Sequence, residues 1–149
     1  MISEHETILA VEDNDDDIAL VRRAFRKATI LNPLRTLSDG EQAVEYLSGE
    51  GGFADRQQSP LPSLILLDLK LPRKSGLEVL AWKMSQPVLK RIPVVVLTSS
   101  KQSSDLERAY DLGVNSYLVK PVEFTELLEM VTALKLYWIR FNETAKSPQ

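Results

Sequence analysis

Four runs of apolar residues, each followed by polar side chains, constrain the fold of this 149-residue chain more than any other feature. Runs of this length that are rich in Val, Ile and Leu are typical of parallel strands buried on both faces. The carboxyl ends of such strands meet at one edge of the sheet, where ligands bind, so we expect the polar residues to line one crevice. The runs are 8–11 before Glu12 and Asp13, 64–67 before Asp68, 94–97 before Thr98, and 117–119 before Lys120.

The segments between these runs have the spacing of amphipathic helices, and the alternation predicts βα units wound into a parallel sheet. A further short strand at 34–38 brings the prediction to five strands and five helices. A Gly- and Pro-punctuated loop at 48–62 is either a functional loop or an insertion. The helices are predicted at 15–28, 40–47, 77–85, 103–112 and 123–140.

Length and composition narrow the class of protein. A chain of this size, with 44% hydrophobic and 26% charged residues, fits one soluble domain and leaves no room for a second. The net charge is -3 and the basic residues are scattered, so the chain lacks the basic surface of a duplex DNA-binding protein. With no cysteine and one histidine, a Cys/His zinc site is excluded. No signal peptide or membrane span is readable, and the cytoplasm is the expected compartment.

The polar residues at the predicted strand ends have the chemistry of a phosphoryl-transfer site. The carboxylates of Glu12, Asp13 and Asp68 would repel one another, and a divalent cation with oxygen ligands, in the pattern of Mg²⁺, would relieve that repulsion. Lys120 adds a fixed positive charge, and the Thr98 hydroxyl can donate to a phosphate oxygen. Because phosphoryl transfer needs mainly positioning and charge stabilisation, this set suits phosphorylation of Asp68. A carboxylate is already ionised, so no general base is needed.

The order of these residues resembles that of the receiver domain of two-component response regulators. The resemblance covers residues 7–140, which is nearly the whole chain. In finer detail, the stretches 11–17, 38–40, 97–100, 115–121 and 136–138 resemble single-domain regulators that pair with cyanobacterial and bacterial phytochrome kinases. The residues that carry the family resemblance are Glu12, Asp13, Asp68, Leu71, Pro72, Gly76, Thr98, Tyr117, Lys120 and Pro121.

The resemblance implies a phosphoacceptor and a metal site. Asp68 would accept a phosphoryl group from a histidine of a sensor kinase, with a phytochrome as the implied kinase class. Asp13 and Asp68 would bind Mg²⁺ directly, Glu12 would bind it through water, and the backbone carbonyl of Lys70 would complete the protein ligands. Mn²⁺ could take the place of Mg²⁺.

The resemblance also implies how the phosphoryl group is held and sensed. Thr98 and Lys120 would hold the phosphoryl oxygens. Tyr117 would turn inward when Thr98 moves onto the phosphate. The bond between Lys120 and Pro121 would be cis, which is affordable at an X–Pro bond and would help to aim the lysine.

We therefore predict a flavodoxin-like, doubly wound α/β domain with strand order 2-1-3-4-5, a single receiver domain over residues 1–149 that is a switch and not an enzyme. With no output domain, phosphorylation would act by changing the surface of the domain, which an unidentified downstream protein would recognise. Two alternatives stay open. A Mg²⁺-dependent phosphohydrolase of the haloacid-dehalogenase type would have a second acid two residues after Asp68, where this chain has Lys70. A pseudo-receiver that never turns over phosphate usually lacks the acceptor or the lysine, and both are present here.

The end of the last predicted helix carries more apolar residues than one helix face can bury. Exposed apolar patches usually mark contacts, so we predict a homodimer through the helix at 103–112, the strand at 117–119 and the helix at 123–140. Tyr137, Trp138 and Phe141 are the predicted anchors. The alternative is that this turn folds back over its own domain. Residues 142–149 are predicted to form a polar tail.

Three consecutive acids, Asp15, Asp16 and Asp17, open the first predicted helix. They could be metal ligands. Acids in a first turn usually interact with the helix dipole and the free N–H groups, and this is the interpretation that we favour.

Overall fold

A five-stranded parallel sheet forms the centre of the structure, a computed structural model that describes residues 2–143 and 145. The order of the strands across the sheet is β2-β1-β3-β4-β5, so the predicted doubly wound, flavodoxin-like fold is confirmed. The strands are β1 (Ile8–Val11), β2 (Leu34–Leu37), β3 (Leu64–Leu67), β4 (Val94–Thr98) and β5 (Ser116–Val119).

In the described part of the chain, five α-helices cover the two faces of the sheet. Alternate residues of β1 point to opposite faces, so Ile8 packs with Phe25 on one side and Leu9 packs with Leu47 on the other. The first and last helices share the first face, and the middle three share the second. The helices are α1 (Asp15–Lys27), α2 (Gly40–Ser48), α3 (Gly76–Met84), α4 (Ser103–Asp111) and α5 (Phe124–Leu134), with short 3₁₀ turns at Gly51–Phe53 and Leu89–Arg91.

Side-chain caps fix the points at which the chain leaves the strand ends and enters the helices. Asn14, three residues after the end of β1, accepts a hydrogen bond from the amide of Asp17 at 3.0 Å and so starts α1. Ser75 and Glu78 form a reciprocal capping box at the start of α3. These caps hold the loops that leave β1 and β3 in short, defined paths.

The end of α5 corrects one prediction about the surface. We predicted Trp138 as an exposed interface anchor, and this is wrong because its side chain is only 6% exposed. With Leu127, Val131 and Leu134 it forms an i, i+4, i+7, i+11 series, which is one face of a helix, and the whole series lies in the core. The helical chain beyond α5 is a π-helix at Lys135–Phe141 instead of a continued α-helix.

Other apolar side chains of the π-helix do face solvent. Tyr137 is 57% exposed and Phe141 is 69% exposed. The predicted polar tail falls mostly on residues 144 and 146–149, which lie outside the described residues. Within the described part of the chain, no helix has the length and apolar character needed to cross a membrane.

The long loop at 48–62 is fastened to α2. The guanidinium of Arg56 donates to the carbonyls of Tyr46 and Leu47 at 2.7 and 2.8 Å, and the Tyr46 hydroxyl donates to the carbonyl of Pro60 at 2.7 Å. The loop joins the end of α2 to the start of β3, so it lies at the amino edge of the sheet, opposite to the strand ends that carry the predicted site. The loop is therefore remote from the predicted site, and both alternatives, a functional loop or an insertion, stay predictions.

Candidate functional site

Three acids from two neighbouring strands meet at the carboxyl edge of the sheet. Glu12 and Asp13 follow β1, Asp68 follows β3, and the two strands pair in parallel register. Carboxylate oxygens of the three residues lie within 4.8 Å of one another. Glu12 and Asp68 are buried, whereas Asp13 is exposed. We call these three residues the acidic cluster, and its spacing and oxygen donors could hold a divalent cation.

Lys120 reaches the acidic cluster from the end of β5. Its ammonium group lies 2.9 Å from Oδ2 of Asp68 and 2.9 Å from Oδ2 of Asp17, and it also contacts Oε1 of Glu12. A lysine ammonium has three N–H donors, so each donor has one carboxylate acceptor. Because β4 and β3 lie between β5 and β1, only a long side chain could span this distance.

Burial and hydrogen bonding push the pKa values of the two buried acids in opposite directions. Burial raises the pKa of Glu12 to about 7, although Lys120 opposes that shift. Burial also raises the pKa of Asp68, but hydrogen bonds from Lys120, Thr98 and the Lys70 amide outweigh it and lower the pKa below its ordinary value. Burial lowers the pKa of Lys120, and its three carboxylate partners raise it well above the usual range. Asp68 is therefore ionised at neutral pH.

The loop after β3 leaves little freedom around Asp68. The amide of Lys70 donates to Oδ1 of Asp68 at 3.2 Å, and the amide of Gly76 donates to the carbonyl of Leu69 at 3.0 Å. A Cβ atom at Gly76 would lie 2.3 Å from the carbonyl oxygen of Asp68, so that position requires glycine. The start of α3 thus packs directly against the backbone that carries the acid.

A second set of contacts connects the site to the surface between β4 and α4. Thr98 is fully buried, and its Oγ1 accepts a hydrogen bond from the amide of Ser100 at 3.4 Å. The carbonyl of Ser100 accepts a hydrogen bond from the half-buried Tyr117 at 3.1 Å. The hydroxyl of Ser100 donates to Asp105 of α4 at 2.6 Å, and Asp105 also pairs with the ammonium of Lys70 at 3.4 Å. Ser100 therefore touches both of the predicted switch residues.

The predicted cis peptide bond before Pro121 is wrong. No peptide bond is cis among residues 2–143. The trans form of an X–Pro bond is favoured by about 0.5–1 kcal/mol, so a cis bond needs a specific local demand. Lys120 already reaches its carboxylate partners from the trans form.

Sequence reasoning missed two residues that the structure brings into these networks. Asp17, assigned above to the helix dipole, contacts Lys120. The spacing of four residues between Asp13 and Asp17 was the signal in the sequence. Because Asn14 caps α1, the first turn of that helix brings position 17 back toward the site. Asp105 carried no comparable signal, since one of its partners, Lys70, comes from the loop after a different strand.

Comparison with known proteins identifies relatives of the whole fold. The profile of the response regulator receiver domain matches residues 8–132. Over 134 residues the chain is 43% identical to the response regulator Rcp1 of Synechocystis, with 90% of this chain and 89% of the relative covered. It is also 43% identical, over 138 residues, to the probable methanogenesis regulatory protein FilR2 of Methanothrix harundinacea, with 92% and 86% covered.

Solved structures agree with these sequence matches. The phosphorylated cyanobacterial phytochrome response regulator RcpA superposes with a TM-score of 0.88 at 41% identity, covering 95% of this chain and 99% of that one. The Mn²⁺-bound form of Rcp1 superposes with a TM-score of 0.85 at 41% identity and the same coverage. The similarity extends well beyond the sheet, because nearly the full length of each chain is matched.

Proposed function

This chain belongs to the response regulator receiver domain family, and we propose that it is a phosphorylation switch whose Asp68 accepts a phosphoryl group from the histidine of a sensor kinase. The main support for the proposal is the way in which the Asp68 carboxylate is held. It is buried at the end of β3, with Oδ1 bound by the Lys70 amide and Oδ2 bound by Lys120. The orientation of this carboxylate is therefore fixed before a phosphoryl donor binds.

We propose that the acidic cluster holds Mg²⁺, with Asp13, Asp68 and the backbone carbonyl of Lys70 as direct ligands and Glu12 bound through water. The donor set fits, because three carboxylates within 4.8 Å supply the hard oxygen atoms that Mg²⁺ prefers. Mn²⁺ accepts the same kind of ligands and can substitute. When bound, the ion neutralises charge on the transferring phosphoryl group.

In the proposed reaction, a carboxylate oxygen of Asp68 attacks phosphorus and the P–N bond to the kinase histidine breaks. The electron pair of that bond stays on the imidazole nitrogen. Because the pKa of Asp68 is below its ordinary value, the carboxylate is ionised at neutral pH and no base has to remove a proton. Lys120 and the Thr98 hydroxyl would donate hydrogen bonds to the phosphoryl oxygens.

We propose that Thr98 and Tyr117 carry the change from the aspartyl phosphate to the surface. Ser100 connects them, because its amide donates to Oγ1 of Thr98 and its carbonyl accepts from the Tyr117 hydroxyl. A Thr98 side chain that turns toward the phosphoryl group gives up its contact with Ser100. The same displacement moves the acceptor of Tyr117, so the two side chains respond together.

A phosphohydrolase is the rival class, and the residue at its second acid position argues against it. That residue is Lys70, whose ammonium group is held 3.4 Å from Asp105. Receiver domains are signalling proteins, and we propose that this chain does not turn over phosphate esters as an enzyme. The pseudo-receiver is also disfavoured, since the acceptor Asp68 and the ammonium of Lys120 are both present, 2.9 Å apart.

We propose a phytochrome-type histidine kinase in the cytoplasm as the phosphoryl donor. The support is the similarity to RcpA, a phytochrome response regulator. FilR2, at the same identity as Rcp1, belongs to a different regulatory setting, so the kinase has to be determined by direct transfer.

Transfer from a panel of autophosphorylated histidine kinases tests both parts of the proposal. We expect a bacterial phytochrome to label the protein at a rate at least about ten-fold above that of unrelated kinases, because cognate pairs differ in transition-state contacts. The readout is loss of label from the kinase with time. A preference for another kinase would contradict the phytochrome assignment alone. No transfer from any kinase, with no labelling by acetyl phosphate, would contradict the proposed function.

We also propose a homodimer through α4, β5 and α5. A groove of about 320 Å³ between β5 and the end of α5 is bordered by Leu118, Met130 and Tyr137. Phe141, at the end of the same π-helix, is a further exposed ring. With Trp138 buried, the candidate anchors are reduced to Tyr137 and Phe141.

Substitution of both anchors should shift the protein toward monomer. We expect the double variant Tyr137→Glu, Phe141→Glu to raise the dimer dissociation constant by at least about ten-fold, because aromatic anchors contribute most to such interfaces. Leu31→Glu is the matched control, since Leu31 is also apolar and 72% exposed but follows α1. Sedimentation velocity measures the outcome. A wild-type protein that stays monomeric at high concentration, with and without a phosphoryl analogue, would contradict the proposed dimer.

A further inference from the structure

Asp17 is a partner of Lys120 that lies outside the acidic cluster. It belongs to the first turn of α1, and its Oδ2 lies 2.9 Å from the ammonium group of Lys120. Its side chain is 37% exposed and that of Lys120 is 18% exposed, so the pair is partly shielded from water. The neighbours Asp15 and Asp16 occupy the same turn and are exposed.

The contacts of Lys120 divide its three donors between two kinds of acid. Two donors go to Glu12 and Asp68, which belong to the acidic cluster, and the third goes to Asp17, which does not. A cation bound by the cluster competes with Lys120 for the first two acids. Asp17 is then the acid that remains free to hold the ammonium group.

We propose that Asp17 is a positioning residue, which holds the ammonium group of Lys120 on the α1 side of the site and offsets the positive charge that Lys120 presents to a bound cation. The inference rests on the proposed metal-dependent phosphorylation of Asp68. Its effect passes through Lys120, because Asp17 lies outside the group of oxygens that could ligate the ion. A carboxylate that only stabilised the helix dipole would act equally from position 16.

The negative charge of Asp17 sets the direction of the expected effect. Removing the negative charge of Asp17 leaves the full charge of Lys120 facing the cation and lets the ammonium group lean further onto Glu12 and Asp68. Both consequences weaken cation binding. For a partly exposed ion pair we expect the dissociation constant to rise about three- to ten-fold.

Binding of Mn²⁺, followed by electron paramagnetic resonance and calorimetry, tests the proposal without a phosphoryl donor. Asp17→Asn keeps the size of the side chain and leaves the Asn14 cap on the backbone amide intact. Asp16→Asn is the matched control, since it removes the same charge from the same turn. Asp17→Glu restores the charge and should recover at least half of the lost affinity, which a purely structural defect would not allow.

The same two substitutions in a Lys120→Met background decide whether Lys120 is the intermediary. We expect Asp17→Asn to weaken Mn²⁺ binding in the wild-type background and to act no more strongly than Asp16→Asn once Lys120 is replaced. Equal effects of the two variants in the wild-type background, or an undiminished effect of Asp17→Asn without Lys120, would overturn the inference and leave the proposed function standing. A wild-type protein that does not bind Mn²⁺ would overturn both.

Discussion

Asp68→Asn should reduce phosphoryl incorporation from acetyl phosphate to background, whereas the wild-type protein should take up one phosphoryl group per chain. The amide has the shape of the carboxylate but lacks the ionised oxygen that attacks phosphorus. Its neighbours offer no substitute of equal quality, since Glu12 has a pKa raised to about 7 and Asp13 is exposed. Phosphate-affinity electrophoresis and intact mass measure the incorporation.

Labelling of Asp68 should also depend on a bound metal ion. Labelling of the wild-type protein should be lost in EDTA and restored by excess Mg²⁺ or Mn²⁺, because the acidic cluster cannot receive a further negative group without a cation. The control for Asp68→Asn is Asp111→Asn, which removes an exposed carboxylate from the end of α4. Label that survives in Asp68→Asn, or that is indifferent to EDTA, would rule out the proposed acceptor.

Lys120→Ala should slow phosphorylation by about 10²–10³-fold, the usual cost of losing a preorganised donor to a developing negative charge. Binding of Mn²⁺ should persist, because the ammonium group competes with the cation for Glu12 and Asp68 and its loss removes that competition. Rates of labelling by acetyl phosphate and Mn²⁺ titrations separate these two effects.

Thr98→Ala is the matched comparison for Lys120→Ala. It removes a neutral donor and keeps the charge, so we expect a smaller loss of rate together with a loss of the phosphorylation-dependent change at Tyr117. NMR of the Tyr117 ring reports that change. Wild-type rates and a wild-type spectral change in both variants would show that neither side chain holds the phosphoryl group.

The sheet and the gathering of the acidic cluster with Thr98 and Lys120 were predictable because they depend on a repeated local pattern. Each buried strand ends at a polar residue, and parallel strands end at the same edge. The fold class therefore followed from the buried strands, their polar ends and the helical segments between them.

Asp17 and Trp138 show where the pattern was insufficient. Both lie on helices, and whether such a side chain meets the site, the core or solvent depends on helical phase relative to the sheet. The stripe from Leu127 through Leu134 predicts a buried residue at 138, but the density of apolar residues after it suggested a surface. The isomer of the bond before Pro121 depends on a free-energy difference of about 0.5–1 kcal/mol, which is too small to read from sequence.

The loop at 48–62, which Arg56 ties to α2, affects which part of the domain surface can vary. It is tied to α2 by its own hydrogen bonds and sits at the far edge of the sheet from Asp68. We expect changes of length or composition there to alter the surface at that edge and to leave the separation of Asp68 and Lys120 unchanged. Variation of the surface at one edge of the sheet would then be spatially separate from the chemistry at the other.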